Sequence, residues 1–169
     1  MPTPAAGTYP PFMENYVKLV AAETVAEAIQ KYSPIINDFF KSIPESKVDY
    51  KYAENKWSIK EMLQHIIDTE RIFGYRALSI SRNDKTPLPG FDENEYAAAS
   101  NAAVRNWQDL LEEFLAVRQS TNFMLNSFTQ EHLQHNGITN NQPNTTLAIS
   151  YAIFGHILHH INILKERYL

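Results

Sequence analysis

The residues best suited to chemistry in this sequence are histidines. His156 and His160 stand four apart in an apolar run. On an α-helix that spacing stacks two imidazoles on one face, about 6 Å apart, so that two nitrogens can reach one cation, as in HExxH zinc enzymes. The residues between them are Ile157, Leu158 and His159, so the HExxH glutamate is absent. Ile149, Ile153, His156, His160 and Ile163 form a single helical stripe, which turns both rings inward. His65, between Met62 and Thr69, has the same inward placement on another segment. Buried polar groups need partners. A shared divalent ion would satisfy three imidazoles, and three His with one open position for water is a catalytic arrangement. Core histidines bonded to side chains or carbonyls fit the same spacing, and spacing does not itself bring His65 to the other two.

Other side chains carry two readings each. His159 is about 100° around the helix from His160, which places it off the metal, on a groove rim or a dimer face. Asp68 either orients an imidazole or is solvated or paired with Arg71. Arg76 shares the stripe of His65 and meets either an anionic substrate or a structural carboxylate. Glu61 belongs to a helix cap, Trp57 to the core at that helix start, and Glu70 to the surface. His132 and His135, in a polar segment, are expected to be solvated. No general base stands out beside the three histidines, so the catalytic residues are left open.

Four amphipathic segments must position these groups. The first runs from about Glu23 to Lys41, with apolar residues at three- and four-residue intervals and Pro34 as a kink. The second starts at Ser58, where Ser58-Ile-Lys-Glu61 is a capping box, and fades near Ser81 to Asn83. A Pro-rich stretch over 84–100 is too long for a tight turn and suits a crossover to a diagonal corner. The third helix covers about Asn101 to Ser127, with Val104 and Trp107 among its core positions. Turns are expected at Asn136-Gly137 and Asn140-Asn141, with a short extended piece around Ile138. The fourth runs from about Thr145 to Tyr168. The reading is an all-α four-helix bundle over residues 13–169, preceded by a flexible N-terminal arm, residues 1–12.

Composition narrows the function. The 169 residues fit one domain, with 44% hydrophobic and 20% charged residues in the usual globular balance. A net charge of −4 argues against nucleic acid or an anionic membrane as partner. With no cysteine, thiolate ligands, disulfides and a Cys nucleophile are excluded. The start of the chain lacks a signal-peptide pattern, and no run is seen to approach the ~18 apolar residues of a membrane span. A cytoplasmic protein is expected.

The run Lys56-Trp57-Ser58-Ile59-Lys60-Glu61-Met62-Leu63-Gln64-His65-Ile66-Ile67-Asp68-Thr69-Glu70-Arg71 resembles the second helix of the DinB superfamily, which includes YfiT-like metal-dependent hydrolases. Leu88-Pro89-Gly90-Phe91-Asp92 is similar to that family's crossover loop, and Gly155-His156-Ile157-Leu158-His159-His160 to its fourth-helix metal motif. The resemblance extends over nearly the whole chain from about Glu14. It implies an up-down-down-up bundle with a long crossover between helices two and three, and a zinc, nickel or similar divalent ion held by His65, His156 and His160. It also implies a homodimer, and a small-molecule substrate handled by a hydrolase or by a transferase using a low-molecular-weight thiol. With no cysteine in the chain, that thiol would come from outside. The alternative is a non-catalytic metal- or small-molecule-binding, stress-related protein.

Overall fold

The computed structural model describes residues 3–169. Its helices are α1 (Glu14–Val17), α2 (Val25–Lys41), α3 (Ile59–Ser81), α4 (Glu93–Ala99), α5 (Trp107–Asn126), α6 (Gln130–Gln134) and α7 (Thr146–Arg167), with a hairpin of β1 (Asn136–Thr139) and β2 (Gln142–Thr145) before the last. Four long helices make the bundle. α3 packs on α5 and α7, and α2 packs on the same two, so α2 and α3 occupy opposite corners.

Each long helix begins where a side chain satisfies its free N–H groups. Ser58 accepts from the Glu61 N–H while Glu61 accepts from the Ser58 N–H, the expected capping box. Thr24 caps α2 and Thr145 caps α7 by their side-chain oxygens alone, accepting from the N–H groups of Glu27 and Ala148. Asn106, not a residue near 101, caps α5. Asn101 lies at φ 55, in left-handed backbone that ends the regular path, and Val104 is 85% exposed rather than in the core. Pro34 is accommodated inside α2, and Ile35 beside it faces solvent.

The long connection after α3 does not cross a diagonal, since α3 and α5 pack side by side. Its length goes into α4 and into a strap that Leu88 ties to the hairpin, donating to Ile138 O and accepting from Asn140 N, both at 2.9 Å. Asn140 and Asn141, at φ 49 and 59, form the hairpin turn. The turn expected at Asn136-Gly137 is instead the start of β1. Gly137 is needed there because a Cβ would lie 2.8 Å from Ile80 Cγ1.

The segment expected to be an arm carries buried residues, Pro4, Tyr9 and Pro10, before it enters α1; residues 1 and 2 lie outside the described residues. α1 rests on α7. That contact requires Gly155, since a Cβ there would overlap the carbonyl of Tyr16. α7 is the central element, and by length and composition alone it is apolar enough to cross a membrane, which the linear reading missed. Here 72% of its apolar window is buried against the other helices.

Candidate metal centre

α3 and α7 lie against each other, and this contact brings His65 to His156 and His160. The Nε2 atoms of His65 and His160 each lie 3.0 Å from Nε2 of His156. One ligand nitrogen from each ring falls within 4.8 Å of the others, and all three residues are buried. Tyr16 meets His156 edge to face at 5.4 Å between centroids, Phe73 stands 6.0 Å from the same ring, and Trp57 lies 4.8 Å from His65. Trp57, expected in the core, is only half-buried and serves as a wall of the cluster.

The donor set fits a cation better than it fits hydrogen bonding. A neutral imidazole offers one N–H and one lone pair. His156 Nε2 therefore cannot satisfy two ring nitrogens at once, whichever tautomer it adopts. His65, His156 and His160 would instead offer their three lone pairs together to one divalent ion.

Burial shifts these rings toward their neutral, ligating form. Desolvation lowers the His65 pKa to about 4. Desolvation, then the neighbouring imidazoles, hold His156 and His160 well below the ordinary histidine value. The unfolded chain takes up protons near pH 6.5, whereas the folded one resists them until much lower pH. Stability of the metal-free chain is therefore fully present above the unfolded pKa and is lost as pH falls below about 6.5. When all three rings titrate only in the unfolded state, the slope approaches about 4 kcal/mol per pH unit. Urea unfolding in chelator from pH 7.5 to 5 measures it, and a flat profile across that interval would contradict neutral burial.

A cavity of about 170 Å³ opens beside the cluster. Its lining includes His65, His156, Tyr16, Thr69, Arg76 and Glu93. Glu93 and Tyr16 escaped the sequence reading: Glu93 is one of several acids in a loop, and Tyr16 lies in a helix of one turn. Burial, then the charge of Glu93, raises the Tyr16 pKa.

The remaining side chains sort differently from expectation. Asp68 accepts from Gln64 at 2.9 Å and does not bind His65, while Arg71 pairs with Glu113 at 2.6 Å. His159 is half-buried outside the cluster, 5.5 Å from the Tyr16 ring. His132 and His135 are half-buried rather than solvated: His132 completes the cap of α6, and His135 Nδ1 lies 2.9 Å from Ser81 O. Glu70 is not a surface residue. It is buried between α3 and α5 in an ion pair with Arg118 at 2.8 Å, their side chains 1% and 0% exposed.

Fold and site together define a helical-bundle protein with a buried three-histidine cluster beside a cavity that His65 and His156 line. The chain belongs to the DinB superfamily, whose sequence profile matches residues 35–164. It is 26% identical over 70 residues to the putative metal-dependent hydrolase OB0413 of Oceanobacillus iheyensis, a match spanning 41% of this chain and 40% of that protein's length. Its fold is that of YfiT from Bacillus subtilis, described as a probable metal-dependent hydrolase with an unusual four-helix bundle topology. That superposition has a TM-score of 0.70 at 14% identity and covers 96% of this chain and 89% of YfiT.

Proposed function

We propose that the protein is a metal-dependent hydrolase whose divalent ion is held by His65, His156 and His160. The observation that carries this reading is the convergence of three buried Nε2 atoms that cannot satisfy one another by hydrogen bonding. The similarity to OB0413 and YfiT, whose descriptions are given above, supports it.

When bound, a divalent ion supplies Lewis acidity and lowers the pKa of a coordinated water toward neutrality. The chain's own groups do the rest. The three imidazoles stay neutral at pH 7 because they are buried, so their lone pairs are available. Phe73, Tyr16 and Ile149 line the cavity beside them and limit access of bulk water. Glu93 lines the same cavity as a carboxylate, exposed on its solvent side, and would be the group there that holds a proton during turnover.

Turnover tests the reading. Ester and amide substrates are assayed with chelated and metal-reloaded protein, with and without an added low-molecular-weight thiol. Activity that returns with metal alone supports hydrolysis. Activity that needs the thiol replaces it with group transfer, and no metal-dependent turnover rejects an enzyme. Glu93→Gln is expected to lower kcat by roughly 10²–10⁴-fold, the usual worth of a general base, with metal content unchanged. Unaltered kcat would remove Glu93 from the mechanism.

A further inference from the structure

We propose that Arg76 is the recognition group for a substrate carboxylate, so that the cavity takes a small organic monoanion with its reacting end at His65 and His156. The inference rests on the reading of those histidines as the reactive centre.

Arg76 is 7% exposed and lines the same cavity as His65 and His156. A guanidinium taken out of water costs several kcal/mol unless an anion compensates it. Among the described residues no carboxylate lies within ion-pair distance of Arg76, in contrast to Arg71, Arg105 and Arg118, which each have one. Its hydrogen bonding is also incomplete. Nη2 donates to Pro89 O at 2.6 Å, and this one bond leaves most of the five N–H donors of the side chain uncommitted. The Phe73 and Phe91 rings, 5.8 and 5.9 Å from Cζ, hold the planar group in place. The guanidinium is thus fixed, charged, desolvated and missing its anion, and the open side is the cavity.

Position and charge define the ligand. Residues 65 and 76 fall on nearly the same face of α3, about 16 Å apart along the axis. The Arg76 side chain leans back toward the helix N-terminus, and the Phe73 ring neighbours both groups, 5.8 Å from Arg76 Cζ and 6.0 Å from the His156 ring. A molecule anchored at Arg76 therefore runs along α3 toward the histidines. Phe12, Met13, Phe91 and Ile149 supply apolar wall for its body. Arg76 is the one Lys or Arg in the lining and Glu93 the one carboxylate. At the Arg76 end, away from the histidines and any ion they hold, one guanidinium fork matches the two oxygens of one carboxylate, and the side chains offer no second cation for a phosphate dianion.

The test is titration of the full chain with benzoate, its neutral isostere benzamide, and inorganic phosphate, followed by calorimetry and by the Arg Nε–H resonances. Benzoate is expected to bind saturably and shift the Arg76 resonance, with benzamide and phosphate each at least about tenfold weaker, as befits loss of a charge-assisted bidentate contact. Arg76→Gln is expected to weaken benzoate at least about tenfold with metal content unchanged. Arg76→Lys keeps the charge and the stem but not the fork, and gives an intermediate loss even if Arg76→Gln folds poorly. Benzoate affinity unchanged in both variants, or phosphate bound as tightly as benzoate, overturns the proposal. Affinity lost in His156→Ala but kept in Arg76→Gln also overturns it, by placing the carboxylate on the metal. Failure of the metal-centre reading has a separate signature, full metal content in His156→Ala, and leaves the Arg76 titrations to stand or fall alone.

Discussion

His156→Ala is expected to purify without stoichiometric metal. Its Nε2 lies 3.0 Å from the nitrogen of each partner, whereas His65 and His160 come together around it. Removing it therefore takes away the shared vertex of the site as well as one ligand. Structural zinc sites bind with roughly 10–16 kcal/mol of apparent free energy. Spread over the ligands of such a site, loss of one lowers affinity by about 10²-fold or more. The fold should survive, because the substitution removes a polar ring from a bundle whose apolar core is otherwise intact. Elemental analysis after purification reads the metal, and thermal unfolding with and without chelator reads the coupling. Chelator should lower the Tm of wild type and leave that of the variant unchanged, since a ligand that binds only the folded state stabilises it. Full stoichiometry in the variant would refute the three-histidine centre.

Arg118→Ala should cost about 3–5 kcal/mol, the penalty for stranding one member of a buried ion pair. Arg118 donates to Glu70 Oε1 at 2.8 Å and to Asn122 Oδ1 at 3.0 Å, and Asn122 in turn donates to Ser33 Oγ on α2. Its guanidinium also lies 4.8 Å from the Phe154 ring of α7. One side chain thus ties all four long helices. Truncation leaves Glu70 buried without its cation, with the Thr121 side chain as its remaining hydrogen-bond neighbour. Burial raises the Glu70 pKa against the opposing pull of Arg118, so without the arginine the carboxyl is driven further toward its neutral form. The double change Glu70→Leu with Arg118→Met should recover most of the loss, because it removes both desolvation penalties and fills the space with apolar atoms. Urea unfolding measures both variants. An Arg118→Ala stability within about 1 kcal/mol of wild type, the scale of an exposed pair, would mean that the ion pair is not buried in solution.

Arg118 and Arg76 differ in how their charge is met. Both are buried, but one has its carboxylate on the neighbouring helix and the other has none among the described residues. The first is a cross-brace of the bundle. The second keeps its charge directed at the space beside the histidines.

Much of this was legible in the linear order of residues, and for local reasons. The capping box at Ser58 and Glu61 starts α3, and the stripe Ile149, Ile153, His156, His160 faces inward, because both depend only on neighbours within a turn or two. The i, i+4 pair on α7 follows from helix periodicity alone. What periodicity could not supply was anything that depends on which helices touch. Glu70 points away from the functional stripe and toward α5, where Arg118 meets it from 48 residues further along the chain. Val104 had the spacing of a core residue, but Asn101 turns the chain before α5 begins and leaves it in solvent. The meeting of His65 with His156 and His160, the approach of Tyr16 over Gly155, and the enclosure of Arg76 by the strap that carries Pro89 and Phe91 are all contacts between distant segments. The sequence by itself determined the elements and the faces they bury, since those are set by hydrogen bonds and side chains a few residues apart. Only the packing of α3 on α7 and the closing of the strap decided that these faces make a site, because that outcome depends on burial shared between helices rather than on any one of them.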